Sequence, residues 1–460
     1  MHAAGDQAAT VAAGPGSAGA SLTHAARFVH TLAPRDLPPS VRDRARQMVL
    51  DAFAVMLAGM AEPRVRQLSL ALRRRGSLGS STFADGTSGD AADAALVNAT
   101  ASCAQVLDEG HKFARGHVGT YVLPAVLAMA EEREATGAAF ATAYVAGYEI
   151  AARLGVACRV RPSMHPSGTW GTVGAAAAVA RLMGQGEAGI RETMNVAAPL
   201  TLATSWQAAV EGATVRDLYS GVGAASAVMA PRYVVAGFRG CDDDVSHVFG
   251  QVASDRFDAA ALDRGLGRDW EVLRNYFKVH ACCRNFQSGI DVALALREKH
   301  AIDPARIARV TAETFAIPVR DNAEREPRNV LAARESFPVS LGLALLHGRC
   351  DASVYTDERV AAPALRALAD RVELRCDPSL EAMFPLARPT RLTIALDDGS
   401  VVSGFAAVAY GDPDRPLSND DLDAKFAACV AGRLTAQAAA ELRAAIDGLF
   451  ELGSVAELTA

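Results

Sequence analysis

Side chains capable of acid–base chemistry are concentrated in one short stretch, "VLDEGHKFARGHVGTYVLPA", at residues 106–125. Between two apolar, helix-like segments it carries the candidates Asp108, Glu109, His111, Lys112 and His117. Carboxylates, imidazoles and an ammonium group in a connecting loop favour proton transfer, because loops carry function more often than helix faces do. A solvated charged loop is one alternative. A metal site formed by Asp108, His111 and His117 is another, although their spacing fits no zinc pattern.

A second stretch, "HPSGTWGTVGAAAAVARLMG" at residues 165–184, places His165 and Ser167 directly before a helix of small side chains. The first turn of a helix has unpaired N–H groups and a positive dipole end, which attract an anion. The stretch therefore predicts a carboxylate-binding corner beside a histidine. A tightly packed helix with a capped start explains the same pattern.

Two further stretches carry cations. "NYFKVHACCRNFQSG" at 275–289 contributes Lys278 and His280. These residues lie where the helical pattern ends and a mixed pattern of strands and helices begins, and such domain junctions are common ligand sites. "RDLYSGVGAASAVMA" at 216–230 places Arg216 and Tyr219 before another small-residue helix, where they could meet an anion. "GVGAAS" lacks the third glycine of a dinucleotide fingerprint and follows no strand, so it does not predict a Rossmann site. A nucleophilic cysteine in "HACCRN" is a further alternative.

The composition narrows the function classes. The chain has 460 residues, half of them hydrophobic, a net charge of −6 and only 6% aromatic residues, which does not favour nucleic-acid binding. No apolar run reaches the roughly 18 residues of a membrane span. Residues 1–20 predict a disordered tail without the features of a signal peptide. The eight cysteines form no C-x-x-C pair, so we expect reduced thiols and a cytoplasmic protein.

The hydrophobic periodicity predicts a mainly α-helical protein. Residues 21–275 and 411–460 have helical spacing and are expected to form one all-helical domain from both chain ends. Residues 276–410 predict an α+β insert with a strand in "ARIARVTAETFAI". Its "PTRLTIALDDGSVVSGFAAVAYG" stretch predicts a hairpin, because Asp-Asp-Gly-Ser is a strong turn signal. Histidines, a lysine, an arginine and carboxylates without a cofactor motif suit acid–base chemistry on an anionic substrate.

Taken together and in order, these segments resemble the MmgE/PrpD family over residues 22 to 450. The carriers are "LDEGHKFARGHVGTYVLPA", "HPSGTWGTVGAAAAVARLMG", "DLYSGVGAASAVMA", "KVHACCRNFQSGIDVALAL", "ESFPVSLGLALLHG" and "LSNDDLDAKF". The resemblance implies a homodimer whose subunits have a large helical domain and a smaller inserted α+β lid. It also implies an active site between them, no cofactor or metal, and removal of a proton or carbon dioxide next to a carboxylate.

Four positions agree with the family's site pattern, namely Asp108, His117, His165 and Lys278. Others depart from it. Arg216 stands where a substrate-binding lysine is usual, Gln287 where a histidine is common, and Val339 where a tyrosine is common. The loop also lacks two of the family's acids and gains His111 and Lys112. These departures imply a substrate that is not simply methylcitrate or cis-aconitate.

The resulting hypothesis is a dehydratase of a small hydroxy-carboxylate. Arg216 and Lys278 would bind carboxylates beside the helix start at Ser167, and His165 or Lys112 would remove a proton. His117, oriented by Asp108, would protonate the leaving hydroxyl. Additional substrate contacts are expected from His111, His280 and Tyr219. A decarboxylase or epimerase on the same scaffold and a non-catalytic carboxylate-binding protein are the alternatives.

Overall fold

The computed structural model describes residues 18–73 and 81–459, so residues 1–17 of the tail predicted at 1–20 lie outside the described residues. The end of that prediction needs correction, because a helix already begins at Gly19. The fold is mainly α-helical, as predicted. In the first half of the chain the α-helices are α1 (Gly19–Thr31), α2 (Pro39–Gly59), α3 (Pro63–Arg73), α4 (Ala91–Cys103), α5 (Gly119–Glu132), α6 (Gly137–Ala157), α7 (Trp170–Leu182), α8 (Glu187–Ala197), α9 (Trp206–Val210), α10 (Val215–Val235) and α11 (Asp244–His247). In the second half they are α12 (Gln287–Lys299), α13 (Ala316–Asp321), α14 (Val330–Glu335), α15 (Phe337–His347), α16 (Asp357–Val360), α17 (Pro363–Asp370), α18 (Pro378–Glu381), α19 (Asn419–Val430) and α20 (Ala436–Asp447).

The strands are short. They are β1 (Ser81–Thr82), β2 (Ser88–Gly89), β3 (Gly110–His111), β4 (Cys158–Val160), β5 (Ser254–Phe257), β6 (Asn275–Tyr276), β7 (Ile307–Thr314), β8 (Val372–Cys376), β9 (Thr390–Leu396) and β10 (Val401–Ala406). The last four form one sheet in the order β10-β9-β7-β8, in which β7 and β8 are parallel and the other pairs are antiparallel. The predicted β7 strand and β9–β10 hairpin are confirmed, and Gly399 in the turn has the positive φ of +85° that glycine permits.

Two expectations about secondary structure need correction. The region 21–275 is not purely helical, because the pairs β1–β2, β3–β6 and β4–β5 involve it. Strands of two to four residues are too short to show an alternating pattern in the sequence. Strand β8 was not expected either, since its five residues directly follow the amphipathic helix α17.

The small side chains of α6 and α7 let their backbones approach closely. A Cβ atom at Gly174 in α7 would lie 2.5 Å from the Gly147 carbonyl oxygen in α6, and one at Gly171 would overlap the Tyr121 ring. No side chain larger than hydrogen fits at either position. The small-residue pattern after His165 is therefore explained by helix packing, which fixes where this helix begins relative to its neighbours.

The described residues bury two hydrophobic clusters. The first joins residues 18–277 with residues 417–458, so the two chain ends share one core. The second is formed mainly by residues 281–394 around the four-stranded sheet, and it also takes in Val55 and Leu107. Leu107 of the second cluster precedes Asp108, and Lys278 lies between Phe277 of the first cluster and Ala281 of the second. The candidate site residues therefore lie where the two clusters meet. Among the described residues, no helix is both long enough and apolar enough to cross a membrane.

Candidate active site

A two-residue strand pairing brings the acidic loop to the candidate lysine. Strand β3 pairs antiparallel with β6, with Gly110 opposite Tyr276. Asp108 lies two residues before β3 and Lys278 two residues after β6, so an antiparallel pairing places them side by side. The Lys278 Nζ atom donates to Asp108 Oδ1 at 3.2 Å and to the Val106 carbonyl at 2.9 Å. Both charged side chains are about 99% buried, so each depends on the other for its charge compensation.

The backbone of the loop is held in place by two further features. Val106 has a φ of +54°, which is strained for a β-branched residue and orients its carbonyl toward Lys278. The Glu109 side chain accepts hydrogen bonds from the Gly119 N–H at the start of α5 and from the Tyr148 hydroxyl. Burial raises the pKa of Glu109 to about 8, so this carboxyl is largely protonated at neutral pH. Glu109 thus anchors the loop and leaves Asp108 as its charged acid.

His117 forms an acid–imidazole pair with Asp108. The His117 Nδ1 atom lies 3.0 Å from Asp108 Oδ2 and 2.7 Å from the Glu109 carbonyl oxygen. Because both neighbours are acceptors, Nδ1 carries the hydrogen, and Nε2 is the free lone pair of the neutral ring. Burial opposes ionisation of Asp108, yet His117 and Lys278 hold the pKa of Asp108 well below its usual range. The carboxylate therefore stays charged and stabilises a proton accepted at His117 Nε2.

His165 has the opposite hydrogen-bonding pattern. Its Nδ1 atom accepts from the Ser167 backbone N–H at 3.2 Å, so a neutral His165 carries its hydrogen on Nε2. The ring stacks on Trp206 at 5.6 Å between centroids and lies 5.9 Å from the Tyr219 ring. Burial, together with the nearby charge of Arg216, lowers the pKa of His165 well below its ordinary value. His165 is therefore a neutral hydrogen-bond donor at physiological pH.

Arg216 at the start of α10 brings a guanidinium group to the same buried region. One terminal nitrogen donates to the Cys103 carbonyl at 2.9 Å and lies 3.4 Å from Asp217 Oδ1. Its Nε is buried without a hydrogen-bond partner among the described residues. The guanidinium group keeps unused donors next to His165, which suits an incoming carboxylate.

Two buried residues near the site were not predicted. Glu335, at the end of α14, is 4% exposed, and burial raises its pKa while Arg216 and Lys278 act in the opposite direction. Tyr276 of β6 lies edge-on to His117, with ring centroids 6.5 Å apart. A glutamate before a helix and a tyrosine in a two-residue strand give no chemical signal in a single sequence. The β3–β6 register is what would have pointed to Tyr276.

Other predicted residues bond elsewhere. His111 lies 3.0 Å from Glu271 and its Nδ1 accepts from the Ala114 N–H, so its contacts are with residues other than His117. Consistent with this, the part of the chain that the structure describes contains no group of three or more His, Cys, Asp or Glu side chains arranged to hold a metal ion. His280 contacts Asp291 at 2.9 Å.

Lys112 and the two departures from the family pattern also have structural partners. Lys112 pairs with Asp412 at 3.1 Å and with Asp414, which does not favour its predicted role as the base. The Gln287 amide donates to the carbonyls of His280 and Cys282 and so holds the turn that follows Lys278. Val339 is buried in α15, where it leaves no hydroxyl for a substrate.

Comparison with protein families agrees with this arrangement. A model of the MmgE/PrpD N-terminal domain matches residues 23–254, and a model of the MmgE/PrpD C-terminal domain matches residues 280–450. This chain belongs to the MmgE/PrpD family. Residues 255–279 separate the two matched ranges, and they include Lys278.

Relatives within the MmgE/PrpD family are distant but cover most of the chain. A cis-aconitate decarboxylase-like protein of Aspergillus oryzae is 22% identical over 94% of this chain and 95% of its own length. A cis-aconitate decarboxylase of Aspergillus terreus is 21% identical over 87% of both chains. A cis-aconitate decarboxylase of Mus musculus is 24% identical over 94% of this chain and 91% of its own. Lyases that act on a small carboxylate are thus the proteins to which this chain is similar.

Proposed function

We propose that this MmgE/PrpD member is a cofactor-independent lyase that removes a proton or carbon dioxide next to a carboxylate of a small di- or tricarboxylate. Dehydration of a hydroxy-carboxylate is the first candidate reaction. The proposal rests on one observation, the buried Asp108–His117 pair with Lys278 on the other oxygen of the same carboxylate. A base held by a carboxylate beside a cation is what removal of a proton next to a carboxylate requires.

In the proposed dehydration, Lys278 and Arg216 bind the carboxylate next to the reacting carbon. His117 Nε2 accepts the proton from that carbon, and the C–H electrons form the double bond as the neighbouring C–O bond breaks. The imidazolium, stabilised by Asp108, gives the same proton to the departing hydroxyl, so that water leaves and neutral His117 is restored. His165 donates its Nε2–H to the substrate oxygen on which charge develops.

This assignment differs from the hypothesis made from the sequence, in which His165 or Lys112 was the base and His117 the acid. The hydrogen bonds at the two Nδ1 atoms support this exchange of base and acid roles. In the neutral rings they leave a lone pair on His117 Nε2 and a hydrogen on His165 Nε2. The ion pairs of Lys112 support its removal from the mechanism.

Decarboxylation is the second candidate, and the similarity to cis-aconitate decarboxylases favours it. The same residues would serve. When the C–C bond breaks and carbon dioxide leaves, the bonding electrons would remain on the adjacent carbon. A protonated His117 would then give its proton to that carbon. Arg216 and Lys278 would stabilise the negative charge in the transition state. Homodimer formation, implied by the family resemblance, remains part of the proposal.

The test is product analysis with purified protein and a panel of citrate, isocitrate, malate, tartrate and cis-aconitate. Mass spectrometry distinguishes loss of water, loss of carbon dioxide and an isomer of equal mass, and reactions in deuterium oxide report proton exchange at the reacting carbon. We expect the variant His117→Gln to lose turnover by roughly 10²–10⁴-fold. The matched control His300→Gln changes an exposed histidine at the end of α12 and should retain wild-type turnover. Equal activity of the His117 variant and the wild type would disprove the proposed role.

A further inference from the structure

Arg388 is a buried cation without an ion-pair partner in the part of the chain that the structure describes. Its residue is 7% exposed, and its Nε is buried without a hydrogen-bond partner. Within residues 18–73 and 81–459 the Arg388 guanidinium makes no ion pair, and its described neighbour is the Phe384 ring, 5.6 Å from Cζ to the ring centroid. Burying a charged group without a partner costs several kcal/mol. An anion that binds such a group offsets this cost.

The surrounding carboxylates do not satisfy Arg388, because they are already occupied. Asp412 is the buried carboxylate of this region, and its Oδ2 accepts from Arg284 at 2.5 Å. Its Oδ1 accepts from Lys112 at 3.1 Å. Lys112, Arg284 and Arg388 therefore share one buried acid, with Asp414 reaching Lys112 from the surface. The cluster of Lys112, Arg284 and Arg388 has an excess of positive charge.

The backbone at Arg388 is held by hydrogen bonds, which fix the point from which its side chain extends. The Arg388 carbonyl accepts from the Ser288 hydroxyl at 2.6 Å, and the same hydroxyl lies 3.1 Å from Thr390 Oγ1 at the start of β9. Ser288 belongs to the first turn of α12. This links the position of Arg388 to the helix that follows Lys278 in the chain.

Tyr276 lies between this charge excess and the candidate active site. The Arg284 guanidinium lies 4.2 Å from the centroid of the Tyr276 ring, and the same ring is in edge contact with His117. Burial raises the pKa of Tyr276, Arg284 and Arg388 oppose this rise, and Asp108 adds to it. Tyr276 is thus within electrostatic reach of both groups. The Tyr276 ring therefore separates His117 on one side from the Arg284 guanidinium on the other, and Arg388 acts on the same tyrosine.

We propose that Arg388, with Arg284 beside it, binds the distal carboxylate of the substrate, across Tyr276 from His117. The inference rests on the proposed function and makes it more specific, because it requires a substrate with a second carboxylate remote from the reacting carbon. Arg388 is a binding and specificity residue in this scheme, and it takes no part in proton transfer.

The test compares the wild type with Arg388→Met and Arg388→Lys. Arg391→Met is the matched control, because Arg391 lies three residues further along, is half-exposed and pairs with Glu313 and Asp377. The probes are tricarballylate, an unreactive tricarboxylate, and acetate, which lacks a distal carboxylate. By titration calorimetry we expect Arg388→Met to weaken tricarballylate binding roughly 10- to 100-fold. Acetate binding by Arg388→Met and tricarballylate binding by Arg391→Met should match the wild type.

Stability provides an independent readout. Removing an unpaired buried charge should leave the thermal midpoint of the ligand-free protein unchanged or raise it. A lowered midpoint together with equal weakening of both probes would show a structural role and overturn the inference, as would unchanged tricarballylate binding. Phosphate binding that depends on Arg388 but does not compete with tricarballylate would reveal a separate anion site and overturn it as well.

The binding assay separates this inference from the proposed function. If Arg388→Met binds tricarballylate normally while the wild type turns over a carboxylate through His117, the inference fails and the function stands. If the wild type binds tricarballylate through Arg388 but catalyses no reaction and no proton exchange, the inference stands and the function fails.

Discussion

Replacement of Asp108 by asparagine is the most direct test of the buried group formed by Asp108, His117 and Lys278. The change retains the size of the side chain, removes one negative charge, and leaves Lys278 and His117 without their carboxylate. The Glu109 carbonyl still accepts from His117 Nδ1, so we expect the tautomer to persist and the basicity of Nε2 to fall. Asp108→Asn is therefore expected to lower activity mainly through the stability of the imidazolium.

The size of the effect follows from the geometry. Opposite unit charges 3.0 Å apart, the distance from His117 Nδ1 to Asp108 Oδ2, attract by about 5 kcal/mol at an effective dielectric constant near 20. If about half of the charge has developed in the transition state, the loss is about 2–3 kcal/mol, which corresponds to a decrease in kcat/KM of about 10²-fold. Folding stability should also fall by about 3 kcal/mol, because Lys278 remains buried without a counter-ion.

The stability difference should depend on pH. The folded pKa of Asp108 is lower than its unfolded value, so its contribution is complete above the unfolded pKa of about 4 and is lost as the pH falls further. Urea unfolding of wild type and Asp108→Asn should therefore differ at pH 7 and converge in acid. The double variant Asp108→Asn/Lys278→Met should recover stability but not activity.

A matched control is Glu149→Gln, since Glu149 is buried next to Arg153 at 3.3 Å and contacts no candidate site residue. This control should lose stability and keep kcat/KM. Imidazole ¹⁵N shifts of His117 would report its protonation without any substrate. A wild-type rate and an unchanged His117 titration in Asp108→Asn would refute the reasoning.

Three other substitutions have separate expected outcomes. Lys112→Met should stay within about threefold of the wild-type kcat/KM, because its ammonium is paired with Asp412; a hundredfold loss would restore Lys112 as a candidate base. His165→Gln, which keeps an N–H donor, should retain more activity than His165→Phe in steady-state assays, and equal rates would contradict a donor role. Burial raises the pKa of Glu109 to about 8, so wild-type stability should decline as the pH rises toward and through 8; in Glu109→Gln this decline should be smaller, as measured by urea midpoints at pH 6 and pH 9.

The helices and the hairpin could be predicted because their signals are local. Helical spacing identified α2, α5, α6 and α12, and the Asp-Asp-Gly-Ser turn identified β9 and β10. The family resemblance selected Asp108, His117, His165 and Lys278, and the structure places Asp108 in contact with both His117 and Lys278.

The remaining features could not be predicted because they depend on contacts between distant parts of the chain. Two-residue strands such as β3 and β6 have no periodicity, yet they bring residues 170 positions apart into one ion pair. The partners of Lys112 and His280 are likewise remote or unmarked acids, so a charged loop in the sequence does not reveal which charges are already satisfied. Hydrogen positions on His117 and His165 follow from such contacts too, so the sequence alone gives no basis for choosing which of the two histidines is the proposed base.

The buried cations Lys278, Arg216 and Arg388 differ in how completely protein groups pair with them, and this difference supports their separate proposed roles. Lys278 is paired with the Asp108 carboxylate, which also contacts His117. The charge of Lys278 therefore keeps Asp108 ionised, and in the proposed function it also faces the substrate. Arg216 is partly satisfied, with a carbonyl and a longer contact to Asp217, and Arg388 has no counter-ion among the described residues. Desolvation is costly for each of them, and in the proposed function an arriving anion would offset that cost for Arg216 and Arg388. A ligand with two separated carboxylates would then pair with both guanidinium groups, whereas a monocarboxylate would leave one of them without the ligand's charge, and this difference in binding energy would select a polycarboxylate substrate.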